Sequence, residues 1–514
     1  GINIPTGKDS LSMTQKYPDK NVMDPGTVII STIGEVTEIN KVLGPALKPY
    51  YGSSLYYIDF SEDDFKLGGS SFAQILNAIG DETPDVKSPR YLRRAFNTLQ
   101  DMIKEGFIHS GHDVSAGGLI VTVLEMLFST EKTGLEADFK SLGDASLIAK
   151  SFSEKPAVVI QSANDVKVEE LLGSFGLNYA KIGTVIKERK LTIDNNNQDI
   201  ELDIDALRDT WFQSSYLLDI NQCGSFKASE RLTNYKRQPK NFVFPSDFTG
   251  KYRQYNLLPD RVEKTGIRAA IIREKGVNGD REMAYSLFLA GFDVKDVHMT
   301  DLISGRETLE DVNMIVFVGG FSNSDVLGSA KGWAGAFLFN PKAKDALDKF
   351  YSRKDTLSLG VCNGCQLMME LGLITPSHKK NPELLLNESG KFESNFLTVD
   401  IVENTTVMLR SLSNAQLGIW IAHGEGKFKF PHEEAKYNIV AKYSYSQYPG
   451  NPNGSDYNTA AVASADGRHL AMMPHLERSI LPWQWAHYPE RKDEVTPWIQ
   501  AFVNAREWVI KSLK

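Results

Sequence analysis

Cysteine is scarce in this chain: 514 residues carry three, Cys223, Cys362 and Cys365. So sparse and odd a count excludes a disulfide-built scaffold and points to a reducing, cytoplasmic home. Histidine is also sparse, at nine. Long hydrophobic runs are missing, and none reaches the roughly 18 residues that span a bilayer. The longest apolar stretch, LIVTVLEMLF (119–128), carries a glutamate and fits a buried helix, so no membrane partner is expected. Positive charge is not in excess. A net charge of −8 without a marked Lys/Arg run argues against nucleic acid as a partner. The chain opens on Gly-Ile-Asn-Ile-Pro with neither initiator methionine nor signal peptide. The expectation is a piece of a longer polypeptide whose N-terminal part is missing.

What is present is globular material, 41% apolar and 24% charged, long enough for about three domains at ~150 residues each. Residues 1–50, with PTGKDSLSM (5–13) and the β-rich GTVIISTIGEV (26–36), read as the end of one subdomain. Residues 51–205 alternate strand and helix: SLYYIDF, then RYLRRAFNTLQDMIKEG at helical spacing, then HDVSAGGL, PAVVIQS and KIGTVI. Residues 206–262 are polar and weakly periodic and read as a linker. From 263 to 514 the pattern resets. IRAAIIRE, MIVFVGG and TLSLGVC are buried-strand runs separated by helices, among them GDREMAYSLFLAGF with Asp280 as a plausible N-cap. The expected fold class is α/β, a doubly wound, mostly parallel sheet with function at the carboxyl ends of its strands.

Two candidates lie there, Gly319-Gly320 and the segment LSLGVCNGCQL (357–367). Gly360-x-Cys362-x-Gly364 has the form of a nucleophile elbow with cysteine in the middle. Its glycines suit unusual backbone angles, and the following helix directs its positive end at the sulfur. The Asn363 amide and the Gly319-Gly320-Phe321 turn are placed to donate to an oxyanion. Cys362-Asn-Gly-Cys365 is equally a C-x-x-C redox signal, and a structural cysteine is a third reading. Zinc fits least, because no second Cys/His pair stands at ligand spacing. The segment AMMPHLERS (471–479) favours the nucleophile. On extended backbone His475 and Glu477 share one face, as a base and its orienting carboxylate would.

With GVCNGCQL and a downstream PHxER, the sequence resembles the class I, triad-type glutamine amidotransferases. REKGVNGDREMAYSLFLAGFDVKDVHMTDL (273–302), GGFSNSDVLGSAKGWA (319–334), IAHGEGKF (421–428) and NPNGS (451–455) narrow the resemblance to the glutaminase domain of the phosphoribosylformylglycinamidine synthase family. GKDSLSM (7–13) and HDVSAGGL (112–119) resemble its synthase part in the large, single-chain form. The resemblance implies an α+β, aminoimidazole ribonucleotide synthetase-like portion ahead of the glutaminase.

It also implies roles. Cys362 would attack the glutamine carboxamide, with His475 moving protons and Glu477 orienting it. Gly320 and Asn363 are the oxyanion candidates. Gln366 would hold the glutamine-derived group, and His423 and Glu425 would line the glutamine pocket. On the synthase side Asp113 would bind magnesium, while Ser115 and Lys8, with Asp9 nearby, would contact ATP; the remaining magnesium ligands would lie upstream of Gly1. Partners implied are glutamine, formylglycinamide ribonucleotide and ATP. Two positions depart from the family: Leu476, where proline is common, and Asn323 in the oxyanion loop. The rival readings are a thiol oxidoreductase and a non-catalytic regulatory module.

Overall fold

The computed structural model describes residues 6–10, 13–23, 27–195 and 198–514. They fall into two compact units, residues 1–211 and 212–514.

The first unit is built on a seven-stranded sheet. Its only parallel pairing among the described residues joins Gly134–Asp138 to Leu191–Asn195, and every other neighbour runs antiparallel. This is the α+β form that the resemblance implied. The interior strand Ser54–Asp59 is buried along its whole length. Its alternation divides the core: Leu55 and Tyr57 face the helix Gly118–Phe128, while Tyr56 and Ile58 face the helices Pro89–Glu105 and Asp165–Ser174. The helix Pro89–Glu105 begins where Ser88 accepts from the Tyr91 amide, with proline at its first position, and ends at Gly106 in left-handed conformation.

The second unit carries a nine-stranded sheet in the order Asp293–His298, Arg268–Arg273, Met314–Phe317, Leu357–Val361, His469–Met472, Thr459–Ala463, Asn438–Tyr443, Glu393–Ile401, Gln416–His423. The first four pairings are parallel and the last four antiparallel. The mostly parallel sheet expected from sequence is therefore its first half. The antiparallel half includes the two longest strands of the sheet, Glu393–Ile401 and Gln416–His423. Around the sheet, helix Asp280–Ala290 packs with Ile499–Ser512, and Lys331–Leu338 with Pro341–Ser352. Asp280 is not an N-cap: Gly279 occupies the cap in left-handed conformation and Asp280 lies in the first turn.

The stretch 206–262 is more ordered than a linker. Residues Ile204–Asn234 are helical, with one break at Gly224 (φ 76°, ψ 161°). Beyond them, Val243 bridges to Gln416 at the sheet edge. Phe242 and Phe244 pack edge-on against Trp485. These aromatic anchors are what the weak periodicity concealed.

Candidate active site

The strand Leu357–Val361 is wholly buried and ends at Cys362. The Cys362 amide donates to Met472 O at 2.9 Å, which ties the turn to the neighbouring parallel strand. The helix Asn363–Glu370 starts immediately. The two flanking glycines serve packing more than backbone angle. Among Gly360, Cys362 and Gly364, the positive φ belongs to Cys362 itself (φ 53°, ψ −107°). A Cβ on Gly364 would come within 2.0 Å of Phe317 O, and one on Gly360 within 2.5 Å of Gly364 O. The helix thus sits directly against the strands, and the strain is carried by the cysteine.

His475 follows the strand His469–Met472 and is fixed by its amide, which donates to Trp420 O at 2.8 Å. Its Nδ1 lies 2.7 Å from Glu477 Oε1, and both side chains are buried. Burial alone would push the imidazole's pKa down. The Glu477 carboxylate and then Cys362 outweigh it and raise the pKa to about 9. Nε2 of His475 makes no hydrogen bond of good geometry. The ring and the cysteine meet across Gly319: a Cβ there would lie 2.8 Å from His475 Cε1 and 3.3 Å from Cys362 Cβ. Cys362, His475 and Glu477 are brought together in that order. Leu476 is buried in the core and disturbs neither neighbour. Cys365, by contrast, is fully buried in the helix; burial, and secondarily Cys362, push its thiol well above the ordinary value. Both cysteines are free.

The amide of Asn363, at the first helical position, has no intrahelical acceptor. Its side chain is spent on the loop opposite, accepting from Ser322 N at 3.1 Å and donating to Gln366 Oε1 at 2.9 Å. Gly320 (φ 126°) bridges to Val277 with no room for a Cβ, which would lie 2.5 Å from Val277 Cα. Asn323, Ser324 and Asp325 follow with three successive positive φ angles, so this loop holds a strained turn. Gln366 Nε2 donates to Glu425 O at 2.6 Å, and Glu425 Oε2 accepts from Ser329 N at 3.2 Å. Gln366 and Glu425 therefore brace the site's two loops. His423 is buried at the end of the strand Gln416–His423, and burial followed by the charge of His475 lowers its pKa to about 3. The Cys362 thiol approaches Ala422 O at 3.4 Å. Sequence reasoning singled out Gly319 as part of an oxyanion turn and not as the gap between Cys362 and His475, and it missed Ala422 and Asn387, a residue that carries no motif signal.

In the first unit, Asp113 is an exposed carboxylate 3.3 Å from His112 Nδ1 at the end of the strand Ile108–Val114, and Ser115 is exposed just beyond it. No group of three or more metal-ligating side chains occurs among the described residues. The amide of Gly117, just before the helix Gly118–Phe128, donates to Glu154 Oε1 at 2.8 Å, which also accepts from Ser71 N at 2.7 Å. Lys8 and Asp9 lie in the strand Thr6–Ser10, and their side chains, like residues 11 and 12 of that motif, lie outside the described residues.

Comparison with known proteins gives two domains. Residues 266–509 match the CobB/CobQ-like glutamine amidotransferase domain, and residues 61–195 match the C-terminal domain of AIR synthase related proteins. The phosphoribosylformylglycinamidine synthase of Homo sapiens is 37% identical over 548 residues, covering 99% of this chain and 40% of its own length. That of Dictyostelium discoideum is 35% identical over 566 residues, covering 99% and 41%. The chain thus spans about two fifths of the length of these curated relatives. Among solved structures, PurLQS from Thermotoga maritima aligns at 26% identity over 49% of this chain and 100% of its own, with a TM-score of 0.37. Among the described residues no helix is long and apolar enough to cross a membrane.

Proposed function

The chain belongs to the phosphoribosylformylglycinamidine synthase family, and on that footing we propose that its second unit hydrolyses glutamine to glutamate and ammonia through Cys362, His475 and Glu477. The observation that carries the reading is the buried His475–Glu477 pair at 2.7 Å, facing Cys362 across a glycine with no side chain to intervene. With its pKa near 9 the imidazole holds a proton at neutral pH, ready for the departing nitrogen, and the attacking species is the sulfur of Cys362 as thiolate. The sulfur adds to the carboxamide carbon, and the oxyanion is received by the Asn363 and Gly320 amides. The imidazolium gives its proton to the departing nitrogen, which leaves as ammonia, and a γ-glutamyl thioester remains. Water, deprotonated by His475, cleaves the thioester; glutamate leaves and the thiolate–imidazolium pair is restored. His423 and Glu425 line the glutamine pocket in this scheme, with Gln366 holding the Glu425 backbone beside it.

The ammonia would serve the ATP- and magnesium-dependent conversion of formylglycinamide ribonucleotide to its amidine in cytoplasmic purine biosynthesis. Asp113 and Ser115 supply one carboxylate and one hydroxyl, short of a magnesium coordination shell. An incoming phosphate would also compete with Glu154 for the Gly117 amide. The glutaminase reading is tested by glutamate release together with mass spectrometry after treatment with a glutamine-mimicking electrophile. Modification at Cys362 is expected. Absence of both glutamate release and labelling overturns the reading in favour of a non-catalytic module.

A further inference from the structure

Asn387 is buried and uses both ends of its amide. Nδ2 donates to His423 O at 2.7 Å and to Lys391 O at 3.0 Å. Oδ1 accepts from Gly426 N at 3.0 Å and lies 3.1 Å from His423 Nδ1. The amide cannot be reversed, because two carbonyls face its nitrogen and a backbone N–H faces its oxygen. His423 Nδ1 must therefore carry the hydrogen, which leaves Nε2 as a bare acceptor. That Nε2 has no partner, and the ring is only 2% exposed. A buried acceptor without a donor is costly unless a ligand supplies one.

The outer end of the same loop is held by charge. Lys391 Nζ lies 3.1 Å from Oδ1 of Asp219, itself buried, and Arg231 Nη1 lies 3.0 Å from the other oxygen. Glu388 pairs with Lys427 at 2.6 Å, just after His423-Gly-Glu-Gly, and with Lys227 at 3.3 Å. Asp219 stands before the break at Gly224, and Lys227 and Arg231 stand after it. Both segments of the broken helix grip the loop that carries Asn387.

We propose that Asn387 is a positioning residue for glutamine recognition, fixing His423 as the acceptor for an N–H of glutamine, and that the loop 387–391 ties this setting to the helix through Asp219 and Lys391. The proposal rests on the glutaminase reading. Without Asn387 the ring is free to exchange tautomers and to present a donor where an acceptor is needed. The thiol and its base are untouched, so binding suffers and chemistry does not.

The test uses the full chain. Asn387→Leu is expected to raise the KM for glutamine about tenfold or more while kcat stays within about threefold, the signature of lost ground-state binding. Lys391→Met should raise KM in the same direction but less. In a cycle, Asp219→Asn combined with Asn387→Leu should cost less than the sum of the singles. An unchanged KM, a loss confined to kcat, or simple additivity overturns the proposal. Nitrogen NMR of the imidazoles reads the point in the unmutated protein: Nε2 of His423 unprotonated between pH 5 and 8 is expected, and a protonated Nε2 overturns it whether or not the variants fold. If the unmutated chain neither releases glutamate nor is labelled at Cys362, the glutaminase reading fails instead, and the tautomer result stands apart from it.

Discussion

At the scale of single residues, the two cysteines of Cys362-Asn-Gly-Cys365 separate by environment. Cys362 faces an imidazole that a carboxylate holds from behind, whereas Cys365 has neither beside it and its thiol is pushed well up. Cys362→Ala should therefore reduce glutaminase activity about a thousandfold or more, as loss of a triad nucleophile does. Cys365→Ala should retain activity. Equal losses at both positions would favour a redox pair, and glutamate release by the two variants decides. The imidazole makes a second prediction. In the proposed scheme His475 must carry the proton that the departing nitrogen takes, so activity should fall as pH rises through about 9. Glu477→Gln removes the largest influence holding the pKa up and leaves burial to push it down. The basic limb of the pH–rate profile should move to lower pH, together with a loss of rate. A limb that stays in place would mean that Glu477 does not hold the proton.

At the scale of elements, glycines divide into two kinds that a sequence shows alike. Gly106 ends a helix in left-handed conformation with nothing near its would-be Cβ. Gly106→Ala should cost about 1 kcal/mol, a backbone penalty only. Gly364 has an ordinary φ but no space, since a Cβ would lie 2.0 Å from Phe317 O. Gly364→Ala should displace the helix Asn363–Glu370 and lower the thermal midpoint far more than Gly106→Ala; comparable shifts would sink this distinction. The difference shows what the sequence makes legible. Strand periodicity and the elbow are local patterns, and each corresponds to a local structure; His475 and Glu477 also meet, but through a 3-10 turn at Leu476–Arg478 and not along the extended backbone their spacing suggested. Gly319, Asn387 and the bracing of Asn363 with Gln366 depend on contacts between segments far apart in sequence. The helix Ile204–Asn234 was hidden for another reason: its break at Gly224 interrupts the apolar spacing, and its buried Asp219 reads as a surface residue until Arg231 and Lys391 are found beside it.

At the scale of the whole molecule, three buried histidines of the second unit set opposing demands on pH. Burial pushes His423 down to about 3 and His469 to about 4, with nearby charges of His475 and Arg468 acting in the same direction. Both fold as neutral rings, so as pH falls below about 6.5, the ordinary histidine value, the unfolded chain takes up protons that the folded one refuses. Stability is then lost at up to about 1.4 kcal/mol per pH unit for each ring, continuing toward the folded values. His475 acts oppositely. Its raised pKa contributes stability that is fully present below about 6.5 and lost as pH rises through about 9. The thermal midpoint of this unit should therefore peak near neutrality and fall on both sides. His469→Gln isolates one term, since His469 bonds Ser358 Oγ with its ring and lies at the opposite end of its strand from His475. The variant should flatten the acid limb by roughly one proton's slope while leaving the alkaline limb in place. An acid limb of unchanged steepness, measured by calorimetry from pH 4 to 9, would mean that the buried neutral imidazoles do not govern the unit's stability in acid.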